Sequence, residues 1–170
     1  MVAAREGGEM KAVVVYESLW GNTAAIARAI AEGIGEGAEA LSTSEATAER
    51  VAGADLIVAG APLLGFSLPT EQMRESIRSQ PQRRQPDLSS PSMRSWLEAL
   101  PAASGRGAAF ETRIRWSPGS AVKTILAGLE KAGYGTGGTA DRFVVTGRYG
   151  PLKDGELERA RSWGEMLARA

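Results

Sequence analysis

The segment KAVVVYESLWGNTAAIARAIAEGI, Lys11 to Ile34, leaves the chain few ways to fold. Its apolar run Val13-Val14-Val15-Tyr16 shows no alternation, as expected of a strand buried on both faces. The run meets a short polar turn, Ser18-Leu19-Trp20-Gly21-Asn22-Thr23, which opens into an alanine-rich helix over about Asn22 to Gly33. Ile26, Ile30 and Ile34 follow the i, i+4, i+8 spacing of one buried stripe. A strand that delivers a glycine-containing turn to a helix N-terminus gathers free backbone N–H groups and the positive end of the helix dipole at one spot. A phosphate is the natural occupant. Ser18, Asn22 and Thr23 add side-chain donors to that concavity; the alternative for Ser18 and Thr23 is helix capping without a ligand.

Beyond this unit, strand and helix signals alternate, which predicts a parallel sheet with crossover helices. A weak second strand is expected near Ala38 to Ser42, then a short helix over Ser44 to Ala52 with Ser44 as its cap. Leu56 to Gly60 reads as the third strand and ends in the loop Ala61-Pro62-Leu63-Leu64-Gly65-Phe66-Ser67. Helical spacing covers Leu68 to Arg78. The polar, proline-interrupted stretch Gln80 to Pro91 predicts an exposed, mobile loop. Ser92 then caps a short helix carrying Trp96, Leu97 and Leu100. A fourth strand of small residues, Gly107 to Thr112, leads into the loop Arg113 to Pro118 and a helix to about Lys131. Phe143 to Gly147 reads as the fifth strand, and a last helix runs to about Arg169 with Leu157, Ala160, Gly164 and Leu167 on one face. Trp96 and Trp163 stand at core spacing, and Phe66 is expected in the core as well. The expected architecture is a doubly wound five-stranded parallel α/β sheet of order 2-1-3-4-5 with helices on both faces, one domain over 10–170 behind a short disordered leader, 1–9.

Composition removes several chemistries. The chain of 170 residues has no Cys and no His. Thiolate nucleophiles, disulfides, imidazole bases, Ser-His-Asp triads and Cys/His zinc sites are therefore excluded. Harder chemistry must come from a cofactor. The 20 basic and 20 acidic residues balance to a formal charge of zero, which argues against nucleic acid or an anionic membrane as the main partner. No apolar run approaches the roughly 20 residues of a membrane span. The start MVAAREGGEM lacks the apolar core of a secretory signal, so a cytoplasmic location is expected.

In open parallel sheets, ligands lie beyond the carboxyl ends of the strands, where strand order reverses. Three loops leave such ends here: 18–23, 61–66 and 113–118. The first offers phosphate donors, the second apolar groups and backbone, the third Arg113, Arg115 and Trp116. That combination describes a mononucleotide with an aromatic ring. A nucleoside-triphosphate loop would need a longer glycine-rich turn ending in Lys-Ser/Thr, and a dinucleotide fold three spaced glycines; neither is present.

The turn Ser18-x-x-Gly21-Asn22-Thr23 resembles the phosphate loop of flavodoxins, a Ser/Thr-x-Thr-Gly-x-Thr turn. LIVAGAPLLGF is similar to the family's second flavin loop, and Phe110-Glu111-Thr112-Arg113 falls where its third begins. The chain is most similar to small bacterial flavodoxin-domain proteins that start Tyr-Glu-Ser-x-Trp-Gly-Asn-Thr, over about Met10 to Arg169. The resemblance implies non-covalent FMN binding and electron transfer with an unidentified redox partner protein. It implies that Ser18, Leu19, Trp20, Gly21, Asn22 and Thr23 surround the phosphate, that Ala61, Pro62, Leu63, Leu64 and Gly65 approach the ring edge, and that Thr112, Arg113 and Trp116 close the other side. Arg113 and Arg115 would then raise the flavin's reduction potential. Two positions depart from the family pattern. Trp20 stands where a hydroxyl is usual, and either lies over the ring or ribityl chain or packs on a neighbouring loop. Leu63-Leu64 offers an apolar lip but no ring, which Phe66 would supply if it stands outside the core. Glu111 is expected to be a solvated strand-end carboxylate, and Arg83-Arg84 to dock an acidic partner if it has a role at all. The alternatives to an electron carrier are a small FMN-dependent NAD(P)H or quinone oxidoreductase and a flavin-free binding or regulatory module.

Overall fold

The computed structural model describes residues 10–170; the leader expected over 1–9 lies outside them. The chain runs β1 Ala12–Tyr16, α1 Asn22–Ile34, β2 Ala38–Ser42, α2 Ala48–Val51, β3 Leu56–Pro62, α3 Glu71–Ser79, α4 Met93–Glu98, β4 Arg106–Ile114, α5 Val122–Ala132, β5 Ala140–Val145 and α6 Glu156–Arg169. The strands form one sheet of order β2-β1-β3-β4-β5. Every ladder is parallel, with Val14 opposite Ala40 on one side and Val58 on the other. The order reverses at β1, between β2 and β3, so the turn after β1 opens at the switch point.

Burial on both faces explains the unbroken apolar run of β1. Val13 and Val15 point into a core with Ile57, Ala59, Trp96, Ile125 and Leu129. Ala12 and Val14 point the other way, into a core with Ile26, Ile30, Val58, Phe110, Phe143 and Trp163. Successive side chains of a strand alternate between faces, so both registers must be apolar. Helices α1 and α6 cover the second face, and α4 and α5 the first.

Two close approaches depend on glycine. A Cβ on Gly164 would lie 2.2 Å from the Ile30 carbonyl oxygen, and one on Gly33 would lie 1.9 Å from that of Arg161, so α1 and α6 touch backbone to backbone. A Cβ on Gly60 would lie 2.2 Å from the ring of the buried Phe110. Gly60→Ala therefore displaces a core aromatic beside the switch point. We expect it to destabilise the fold by about 1–3 kcal/mol, seen as a lower urea midpoint with an unchanged slope.

Several boundaries differ from the sequence reading. Helix α2 begins after Thr47, whose hydroxyl accepts the Arg50 N–H, while the hydroxyl of Ser44 pairs with those of Ser42 and Ser90. Helix α3 begins after Thr70 for the same reason, its hydroxyl accepting the Met73 N–H. Strand β4 extends to Ile114 because Arg113 and Ile114 pair with Val144 and Val145. Strand β5 starts earlier than expected, at Ala140, where it pairs with Ala109, and ends at Val145. Ser92 caps α4, its hydroxyl accepting the Ser95 N–H. No helix among the described residues is long and apolar enough to cross a membrane.

Candidate functional site

The turn after β1 is built around Ser18 and Gly21. The Ser18 hydroxyl accepts the N–H of Gly21 (3.1 Å) and of Ala24 (3.3 Å), and Gly21 takes a positive φ of 95° to enter α1. Two amides of the helix start are thus satisfied. Among the described residues, the backbone N–H groups of Leu19, Trp20, Asn22 and Thr23 have no acceptor. These four residues line one wall of a slot at the carboxyl ends of β1, β3 and β4. Unpaired amides at a helix N-terminus suit an anion. Ser18 itself faces away from the slot, into a polar hollow shared with Arg28 and Asp87.

The floor of the slot is a hydroxyl pair, Thr23 Oγ1 and Thr112 Oγ1, 2.7 Å apart. Pro62, Leu63 and Leu64 form the second wall, and Arg113, Ile114 and Ser117 the third; Val145 and Arg148 close the end. Leu63 is buried and belongs to the core, so only Leu64 of the expected leucine lip reaches the surface, half-buried. Ala61 is buried in the sheet, and Gly65 is exposed at the loop tip. The slot holds about 70 Å³. That is room for a phosphate-sized group, against the roughly 300–1,000 Å³ of pockets that enclose a whole ligand. A ring attached to that group would lie at the mouth.

The second and third loops carry two exposed aromatic rings, Phe66 and Trp116, neighbours in sequence of the slot-lining Leu64 and Ser117. Leu64 and Ser67 exchange two backbone hydrogen bonds around Gly65 (φ 52°) and Phe66 (φ 77°). Positive φ at both central positions is the pattern of a type I′ turn. Phe66 is thereby held 68% exposed, not in the core as its apolar character predicted. A bulky residue in the left-handed region costs about 1–3 kcal/mol, and strain of this kind concentrates at binding sites. On the opposite loop Trp116 is 83% exposed, with the Arg115 guanidinium 5.0 Å from its ring centroid.

Glu111 corrects the expectation of a solvated carboxylate. It is fully buried at 0% exposure. One oxygen accepts the N–H groups of Ala121 (3.0 Å) and Val122 (3.2 Å), capping α5, and the other accepts from Arg113 (3.1 Å). The Arg113 guanidinium also donates to the carbonyls of Ser117 and Gly119. Arg113 therefore staples its loop, and its charge is offset by Glu111. Of the pair expected to raise a flavin potential, only Arg115 remains uncompensated.

The 80–91 stretch, expected to be mobile, is a strap tied across the phosphate turn. The Asp87 N–H donates to the Leu19 carbonyl (2.8 Å), and the Trp20 indole N–H donates to the Arg84 carbonyl (3.0 Å). Gln82, Arg83 and Arg84 each bond to Tyr149. Arg74 donates to the carbonyls of Leu88 (3.4 Å) and Ser90 (2.6 Å), and pairs with Glu17 at 2.6 Å. Burial pushes the Glu17 carboxyl above its ordinary range, against the Met93 amide and Arg74, which pull it down. Trp20 packs edge-on against Tyr149 (5.2 Å), with Arg148 5.5 Å from its ring. Of the two placements open to Trp20, packing on a neighbouring loop is the one seen. Glu17, Arg74, Arg148 and Tyr149 were not singled out from the sequence. Their partners lie far along the chain, so no local spacing marks them.

No family model and no curated protein matches the chain. Solved structures do match. A flavodoxin from the domain Archaea is 23% identical with a TM-score of 0.63, over 94% of this chain and 97% of that one. Flavodoxin 2 of Bacillus cereus is 16% identical at 0.66, over 94% and 98%. This chain has the flavodoxin-like fold. A WrbA-like flavodoxin of Agrobacterium tumefaciens shares the same flavodoxin-like architecture at 20% identity and 0.60, over 95% and 96%.

Proposed function

We propose that this flavodoxin-like chain binds FMN non-covalently and serves as an electron-transfer protein. The observation that carries the reading is the set of unpartnered amides of Leu19, Trp20, Asn22 and Thr23, in the wall of a phosphate-sized slot whose neighbouring loops expose two aromatic rings. Flavodoxins among the structural neighbours support it.

The amides of Trp20, Asn22 and Thr23, with the Thr23 hydroxyl, would hold the phosphate. Arg148 would add positive potential from the end of the slot. Phe66 and Trp116 would flank the ring at the mouth, with the backbone of Pro62 to Gly65 along its edge. Bound flavin supplies redox chemistry that no side chain of this chain has. The residues supply binding and orientation, and Glu111 fixes the third loop. The missing hydroxyl at Trp20 removes one charge-assisted hydrogen bond, about 1.5–3 kcal/mol, without emptying the site of donors. A second reading, a flavin-free binding module, is favoured by one observation: Trp20 is locked between Tyr149 and the strap.

The test is the visible spectrum of purified protein after incubation with FMN and desalting. Flavin bands at one FMN per chain are expected. A colourless protein with a native circular-dichroism spectrum would overturn the proposal in favour of the second reading.

A further inference from the structure

The rim of the slot carries an uncompensated basic charge. Arg83, Arg84, Arg115 and Arg148 are all exposed, and none forms an ion pair among the described residues. Three of them form one group around Trp20 and Tyr149. Arg83 and Arg84 lie on the strap against Tyr149, Tyr149 packs on Trp20, and Arg148 lies beside the Trp20 ring. Across the slot, Arg115 lies against Trp116. The nearby acidic groups do not cancel this charge. Glu111 is buried and already paired with Arg113, and the single charge of Asp87 lies in the separate hollow it shares with Ser18 and Arg28. Because the whole chain has a formal charge of zero, a basic rim implies a polarised molecule, positive at the slot. The second and third loops also expose the apolar groups Phe66, Ile114 and Trp116, each a large hydrophobic side chain. Exposed aromatics interleaved with arginine are the composition of a protein-binding surface.

We infer that this rim docks an acidic redox protein, which presents a carboxylate-rich surface to the arginines and meets the flavin edge between Phe66 and Trp116. That the partner is a redox protein rests on the electron-transfer reading; the polarity of the surface rests on the arginines alone. Opposite charges steer such an encounter, and salt screens it.

Two small probe proteins test the inference: a strongly acidic [2Fe–2S] ferredoxin and a strongly basic cytochrome c. Binding of each is followed by amide chemical shifts of this chain at about 20 mM and 300 mM salt, a range over which the Debye length falls from about 20 Å to 6 Å. The ferredoxin is expected to shift residues of the strap and of the 113–118 loop, and to bind at least about tenfold more weakly at the higher salt. Arg83→Glu/Arg84→Glu/Arg115→Glu is expected to abolish that binding. Arg115→Gln alone, at an exposed loop position, should weaken it a few-fold and guards against misfolding of the triple variant. No ferredoxin binding at low salt, shifts confined to another face, or a preference for the cytochrome would overturn the inference. The flavin spectrum is recorded on the same samples. A chain without flavin that still binds ferredoxin at the rim contradicts the electron-transfer reading and upholds the basic surface.

Discussion

Arg74→Met should cost about 3–5 kcal/mol of stability, the range for removing one partner of a buried ion pair. Arg74 is 6% exposed and Glu17 is 2% exposed. With the guanidinium gone, Glu17 keeps one hydrogen bond, from the Met93 amide at 2.9 Å, and the Leu88 and Ser90 carbonyls lose their donor. The variant buries an anion without a counter-charge and unties the strap. Replacing both partners by apolar groups removes that anion, so Glu17→Met/Arg74→Met should be more stable than Arg74→Met alone. Acidity provides a further check. Burial already raises the Glu17 carboxyl above 4.5, and losing Arg74 raises it more. A group whose pKa is raised by folding contributes stability at low pH that is lost as pH rises through the folded value. The deficit of Arg74→Met should therefore be full in alkaline buffer and shrink as pH falls towards 4.5. Urea denaturation of the three proteins across that range measures both effects.

The second large effect concerns the ligand. FMN and riboflavin share a ring and differ by the phosphate. If the slot amides hold that phosphate, each charge-assisted hydrogen bond contributes about 1.5–3 kcal/mol. Two such bonds already amount to at least about 3 kcal/mol, or about 100-fold in affinity. Calorimetric titration should show FMN binding at least that much tighter than riboflavin. Arg148→Gln should narrow the gap about tenfold by weakening FMN alone, since riboflavin carries no phosphate for its charge to attract. Equal affinities would mean that the turn only caps α1.

The part of this protein that its sequence makes plain is the part set by local periodicity. The unbroken apolar run of β1 predicts burial on both faces, and β1 is buried on both. The glycine turn before the isoleucine stripe predicts a strand, a bend and a helix start, and Gly21 supplies the positive φ there. What stayed hidden depends on partners far apart in the chain. The strap has no apolar anchors of its own, so its composition reads as a free loop; it is held by Arg74, Trp20 and Tyr149 from three other segments. Glu111 is buried because the topology brings the start of α5 back to the end of β4. Phe66 resembles a core residue until the two hydrogen bonds between Leu64 and Ser67 show that it occupies a turn. The backbone contact of α1 with α6 is marked only by two glycines more than 100 positions apart, Gly33 and Gly164.

The central claim is that the chain holds FMN at the β1 turn. Quenching of flavin fluorescence on titration of FMN with flavin-free protein tests it most directly. The account predicts saturation at one chain per flavin with a Kd below about 1 μM, corresponding to more than about 8 kcal/mol of binding free energy. Undiminished flavin fluorescence in the presence of excess folded protein would contradict it.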